Sequence, residues 1–145
     1  MGSSRFPGKP MTNILNKPMI GHVYENVQKC KTLTETAVAT CDKVIYDYIT
    51  SIGGKAVMTS DKHDRASDRC AEALIKLENS LDIKFDVVVM VQGDEPMTNS
   101  CMIEESLSPI LADSSVVVTN LKGTIDSFDE FEDRNCIKVV TDLNN

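Results

Sequence analysis

Two short polar segments carry the side chains best suited to phosphate chemistry. The first, Gly2-Ser3-Ser4-Arg5-Phe6-Pro7-Gly8-Lys9-Pro10, combines glycines, hydroxyls and two cations. Glycine lets backbone amides approach an anion closely. Ser3 and Ser4 add hydroxyl donors, Arg5 a guanidinium fork that matches phosphate oxygens, and Lys9 a point charge. No Gly-Lys-Ser/Thr follows at the spacing of a P-loop. The same composition also suits a polar chain terminus. The second segment is Gln92-Gly93-Asp94-Glu95-Pro96. A carboxylate at Asp94 can hold Mg²⁺, which takes one or two carboxylates together with substrate phosphates. It can equally cap a turn that Pro96 sets. A third polar stretch, residues 59–69, offers donors and acceptors for a base and a ribose, and also reads as a solvated loop entering a helix. His63 alone is no argument for catalysis.

These loops need elements to hold them, and the surrounding sequence alternates short β-rich runs with amphipathic runs of helical length. Pro18 belongs in the first turn of a helix whose apolar stripe is Ile20, Val23, Tyr24 and Val27. Residues 36–40 read as a strand. Asp42 caps a helix facing inward through Val44, Ile45, Tyr48, Ile49 and Ile52, stopped by Gly53-Gly54. Residues 55–59 are the next strand, and Ser67 or Asp68 caps the helix that follows. Residues 85–91 form a nearly continuous apolar run, as expected of a central parallel strand covered on both faces. Residues 100–111 read as a helix, with Pro109 placing its end in doubt. Residues 115–120 and 136–141 read as strands, and the charged run 126–133 as a solvated helix face. Alternation of this kind predicts an α/β fold, a three-layer sandwich with a mainly parallel sheet. Ligands in such sheets bind at the carboxyl ends of strands, where the 92–96 turn lies.

Composition excludes several classes. With 145 residues the chain is one domain's worth, and 41% hydrophobic with 26% charged residues is a globular balance. No apolar run reaches the length of a membrane span. No signal-peptide pattern opens the sequence, so a cytoplasmic location is expected. A net charge of −7 argues against a dedicated nucleic-acid partner. Against that acidic total, Arg5, Lys9, Lys17, Lys29 and Lys31 face Glu25 alone in the first 31 residues. This is the charge pattern of a local anion site, or of a solvated basic helix end. The five cysteines are widely spaced with no Cys-x-x-Cys pair, which argues against structural zinc.

Ser4-Arg5-Phe6-Pro7-Gly8-Lys9-Pro10, Lys17-Pro18-Met19-Ile20 with His22-Val23, and Val91-Gln92-Gly93-Asp94-Glu95-Pro96 together resemble the 3-deoxy-manno-octulosonate (KDO) cytidylyltransferases. Val38-Ala39-Thr40, Gly53-Gly54, Met58-Thr59 and Lys138-Val139-Val140 extend the resemblance over essentially the whole chain. It implies a Rossmann-like nucleotide-diphospho-sugar transferase fold, a homodimer, and an enzyme that joins CTP to KDO to give CMP-KDO and pyrophosphate for lipopolysaccharide biosynthesis. On this resemblance Arg5 and Lys9 contact the triphosphate and Asp94 holds Mg²⁺, the three being the catalytic set. Ser3, Ser4, His63, Ser67, Arg69 and Gln92 complete the nucleotide site. The chain reads Arg65-Ala66-Ser67-Asp68-Arg69 where many members read Gln-Ser-Gly-Thr-Glu-Arg, and Cys41 stands in place of an aspartate. The family pattern also places a hydrophobic strand before the first loop. It adds roughly a hundred further residues with the sugar site and a second metal-binding aspartate. Residues 1–145 are therefore expected to be a single, incomplete nucleotide-binding domain, inactive by itself. Two alternatives stand beside this reading: a cytidylyltransferase for another 2-keto sugar acid, and a non-catalytic nucleotide-binding fragment.

Overall fold

A computed structural model describes residues 7–141. Its organising element is α1 (Met19–Gln28), whose apolar stripe does double duty. Val23 and Val27 pack with Cys30, Ile103 and Leu107, and Val87, Val89 and Val91 lie against that cluster. Ile20 and Tyr24, about 60° around the helix, pack instead with Ile45 and Ile49. Pro18 is the residue that caps α1 and not part of its first turn. It closes an unforeseen hairpin between β1 (Asn13–Ile14) and β2 (Lys17–Pro18). The hairpin turn places Leu15 and Asn16 at φ 48° and 65°, the doubly left-handed geometry of a two-residue turn. Sequence patterning misses it because leucine is a poor advertisement for positive φ.

β3 (Val38–Thr40) and β4 (Ala56–Met58) pair in parallel, Val38 opposite Ala56 and Thr40 opposite Met58. α2 (Lys43–Ser51) makes the crossover between them. Asp42 caps α2 as expected, its carboxylate accepting from the Val44 amide at 3.0 Å. Gly53, at φ 76°, provides the left-handed exit. Its neighbour Gly54 sits so close to Ile49 that an added Cβ would lie 2.9 Å from the Ile49 carbonyl oxygen. The Tyr24 hydroxyl ties this corner to α1, accepting from the Lys55 amide at 3.1 Å.

α3 (Ala66–Leu81) follows β4, and its N-cap residue is Arg65, not Ser67 or Asp68. α4 (Ser100–Ala112) is capped by Asn99 and carries Pro109 inside its last turn without ending there. A proline so near the end removes only one late hydrogen bond. A five-residue helix, α5 (Phe128–Glu132), lies in the charged run and is capped by Ser127.

The described residues form only a small part of the expected mainly parallel sheet. Among the described residues the only ladders are the β1–β2 hairpin and the parallel β3–β4 pair. Residues 85–91, 115–120 and 136–141 belong to no strand. Residues 85–91 nonetheless keep the burial alternation of extended chain: Val87, Val89 and Val91 face the core while Val88 and Met90 are about half exposed. A strand is defined by a partner's backbone, and no other described segment offers one here. Beside them runs a groove of about 550 Å³, lined mostly by apolar side chains of α1, β3, α3 and residues 83–93. The architecture is thus mixed α/β with a small parallel sheet. No helix among the described residues is long and apolar enough to cross a membrane.

Candidate nucleotide site

The first polar loop enters the described structure at its second half. Gly8 has φ 76°, a left-handed conformation that a side chain would strain. It turns the chain into a single 3₁₀ turn, Lys9–Met11, closed by the Met11 amide on the Gly8 carbonyl at 2.9 Å. Ser3, Ser4 and Arg5 lie outside the described residues.

The second loop is hung from α1. Asn26 donates its side-chain amide to the Pro96 carbonyl at 2.9 Å. Gly93 passes Ile20 so closely that a Cβ there would meet the Ile20 Cδ1 at 3.2 Å. The Glu95 amide reaches back to the Gln92 carbonyl at 3.3 Å and closes the turn. Gln92 itself is exposed. With both loops so held, Lys9 Nζ donates to Asp94 Oδ2 at 2.6 Å, across 85 residues of sequence. Both side chains keep more than a third of their surface in solvent, so the pair is accessible to an incoming ligand.

The third loop, between β4 and α3, is fastened by one stripe of α3. Arg69 donates through Nη1 to the Thr59 hydroxyl at 2.6 Å and to the Ser60 carbonyl at 3.0 Å. Glu72, three residues on, accepts from the Ser60 amide at 2.9 Å and from His63 Nε2 at 2.5 Å. Lys76, four further on, bonds Glu72 at 2.7 Å and the Met58 carbonyl at 2.7 Å. The Lys76 ammonium, then the Ser60 amide and His63, hold the Glu72 carboxyl down at about 2. Each of these donors favours the ionised form. Ser67 is exposed in the first turn of α3.

Lys9 and Asp94 are therefore joined directly, and His63 and Arg69 share one network. No hydrogen bond or ion pair among the described residues links the two groups. Arg69, Gln92 and Gly93 line the same groove. Two residues that sequence reasoning passed over carry much of the positioning, Asn26 and Glu72. Glu72 left a trace, the 69, 72, 76 spacing of one helix face. Asn26 left none, because its partner is 70 residues away. An open carboxylate beside a lysine can take up a polyphosphate and its counter-cation.

Comparison with known proteins points the same way. The sequence pattern of the cytidylyltransferase family matches residues 1–145. The 3-deoxy-manno-octulosonate cytidylyltransferase of Geobacter metallireducens is 40% identical over 140 residues, covering 97% of this chain and 53% of the relative. That of Syntrophus aciditrophicus is 43% identical over 143 residues, covering 98% and 56%. A solved CMP:2-keto-3-deoxy-manno-octonic acid synthetase, complexed with CTP, superposes with a TM-score of 0.72 at 37% identity. That superposition covers 79% of this chain and 45% of the other. The chain spans about half the length of the curated relatives it matches. Matched from end to end, it belongs to the cytidylyltransferase family.

Proposed function

We propose that this chain is the nucleotide-binding part of a cytidylyltransferase that joins CTP to KDO, releasing pyrophosphate and CMP-KDO for lipopolysaccharide biosynthesis. The observation that carries the reading is the meeting of Lys9 with Asp94 at the mouth of two loops, in a chain whose relatives are named for this reaction. In the reaction an oxygen of the sugar's anomeric centre bonds to the α-phosphorus. The bond from that phosphorus to the bridging oxygen breaks, and pyrophosphate leaves with the electron pair. Such a transfer needs positioning and charge neutralisation and no covalent intermediate on the protein.

Lys9, with Arg5, neutralises the β- and γ-phosphates, and so stabilises the leaving group. Ser3 and Ser4 donate hydroxyls to the same phosphates. His63, Ser67, Arg69 and Gln92 hold the base and ribose. Asp94 suits Mg²⁺: its carboxylate oxygens are accessible. No group of three His, Cys, Asp or Glu among the described residues makes an all-protein cage. A single carboxylate with phosphate oxygens and water is a common Mg²⁺ environment. Bound there, Mg²⁺ would supply positive charge to the phosphates. In a complete single domain, residues 85–91 gain ladder partners in a mainly parallel, three-layer sheet. The working enzyme is a cytoplasmic homodimer.

Titrating Mg²⁺ with CTP into the ¹⁵N-labelled protein tests the site. Amides of Lys9 and of residues 92–95 should shift more with CTP than with cytidine. No shift with either ligand overturns the nucleotide assignment. Pyrophosphate release with KDO, measured against other 2-keto sugar acids, then identifies the acceptor.

A further inference from the structure

The groove beside residues 85–91 has the walls of a strand position and no strand in it. Residues 83–93 border it, and so do residues 32–39, which run into β3. No ladder joins these two segments. The helices that line it are α1, through Val23 and Val27, and α3, through Leu74 and Leu77. Both bordering segments hold unspent backbone. Residues 86–91 make no backbone–backbone hydrogen bond among the described residues. In β3 the Val38 amide donates to the Lys55 carbonyl, and the Thr40 carbonyl accepts from the Thr59 amide, each at 2.9 Å. Alternate residues of a parallel strand address opposite neighbours, so the Ala39 N–H and C=O between them point away from β4. Ala39 lines the groove. Two rows of backbone donors and acceptors thus border one space of about 550 Å³. Buried peptide groups are paired in nearly all native proteins, and a strand laid between two such rows pairs both at once.

We propose that this groove takes up one extended peptide segment as an added strand, bonded through its backbone to Ala39 on one edge and to residues 87–91 on the other. The segment is about five residues long, the ordinary length of a strand. It is uncharged and β-branched, because aliphatic side chains of α1 and α3 line the groove and a strand so covered is apolar on both faces. Main-chain bonds supply the affinity of such an addition, and side-chain fit its selectivity. Relatives nearly twice the length of this chain carry polypeptide from which such a segment can come. Val91 runs directly into Gln92 and Gly93, which also border the groove, so the added strand steadies the root of the Asp94 turn. This deepens the completed sheet proposed above and does not depend on the nucleotide.

The test uses the ¹⁵N-labelled chain and the peptide acetyl-Lys-Val-Ile-Val-Ile-Val-Lys-amide, titrated through the millimolar range. A second peptide, acetyl-Lys-Val-Pro-Val-Pro-Val-Lys-amide, keeps the charges and an apolar surface but lacks the amide donors at its prolines. With the first peptide at about ten times its dissociation constant, exchange of the Ala39 amide and of alternate amides within 87–91 should slow about tenfold. The proline peptide should leave those rates unchanged. No slowing, slowing on one edge alone, or equal slowing by both peptides overturns the proposal. So does protection of the same amides that grows with protein concentration and needs no peptide, since a second copy then fills the groove. CTP-induced shifts at Lys9 and residues 92–95 are read on the same sample, so the strand site and the nucleotide site stand or fall separately.

Discussion

Replacing Lys9 by Met keeps the length and apolar stem of the side chain and deletes its charge. Two effects then compete. In the free protein Lys9 pairs with Asp94 at 2.6 Å, but the side chains are 36% and 41% exposed. An ion pair that open contributes about 0–1 kcal/mol to stability. A hydrogen bond from a lysine to an ionised phosphate contributes roughly 1.5–3 kcal/mol. Opening the ion pair offsets part of that, so CTP affinity should fall by about three- to a hundredfold at roughly 1.4 kcal/mol per factor of ten. Cytidine, which has no phosphate, should bind as before. Asp94→Asn carries the opposite sign in the absence of divalent cations. It releases Lys9, and CTP should then bind up to about fivefold tighter. With Mg²⁺ present the same variant should lose the gain that the cation confers. Calorimetric titration of CTP and cytidine, with and without Mg²⁺, separates these cases, and urea unfolding of each variant checks that the fold is unchanged. Equal losses for CTP and cytidine in Lys9→Met would show that Lys9 does not meet the phosphates, and the reasoning would be refuted.

Ile49, fully buried on the face of the crossover helix α2 that packs with Ile20 and Tyr24 of α1, should cost about 2–5 kcal/mol when cut to Ala; a urea midpoint that hardly moves would show that this cluster is not a core. The Glu72 carboxyl lies at about 2 against an ordinary 4.5. Lowered in the folded state, it contributes stability that is fully present above pH 4.5 and lost as the pH falls from there through about 2. Amide exchange at Ser60, whose N–H donates to Glu72, should accelerate across that window, and protection that persists unchanged to its lower end would contradict the network.

Much of this protein is written locally. The stripe Ile20, Val23, Tyr24, Val27 can bury itself only as a helix, because those positions converge at 3.6 residues per turn and not at two. Asp42 announces α2, since a short carboxylate ahead of an apolar run satisfies a free amide wherever the helix finally packs. The residue types of the two polar loops were also legible, for glycine, cation and carboxylate carry their chemistry with them. Only tertiary structure decided what met what. Lys9 finds Asp94 because Gly8 turns one loop and Asn26 holds the other, and neither contact leaves a mark on neighbouring residues. Glu72 becomes a hub only once β4 lies across α3. Residues 85–91 show the limit most clearly. Their apolar alternation fixes which side chains face inward, yet a strand also needs a second backbone within hydrogen-bond reach, and that is a property of the assembled chain and not of seven residues.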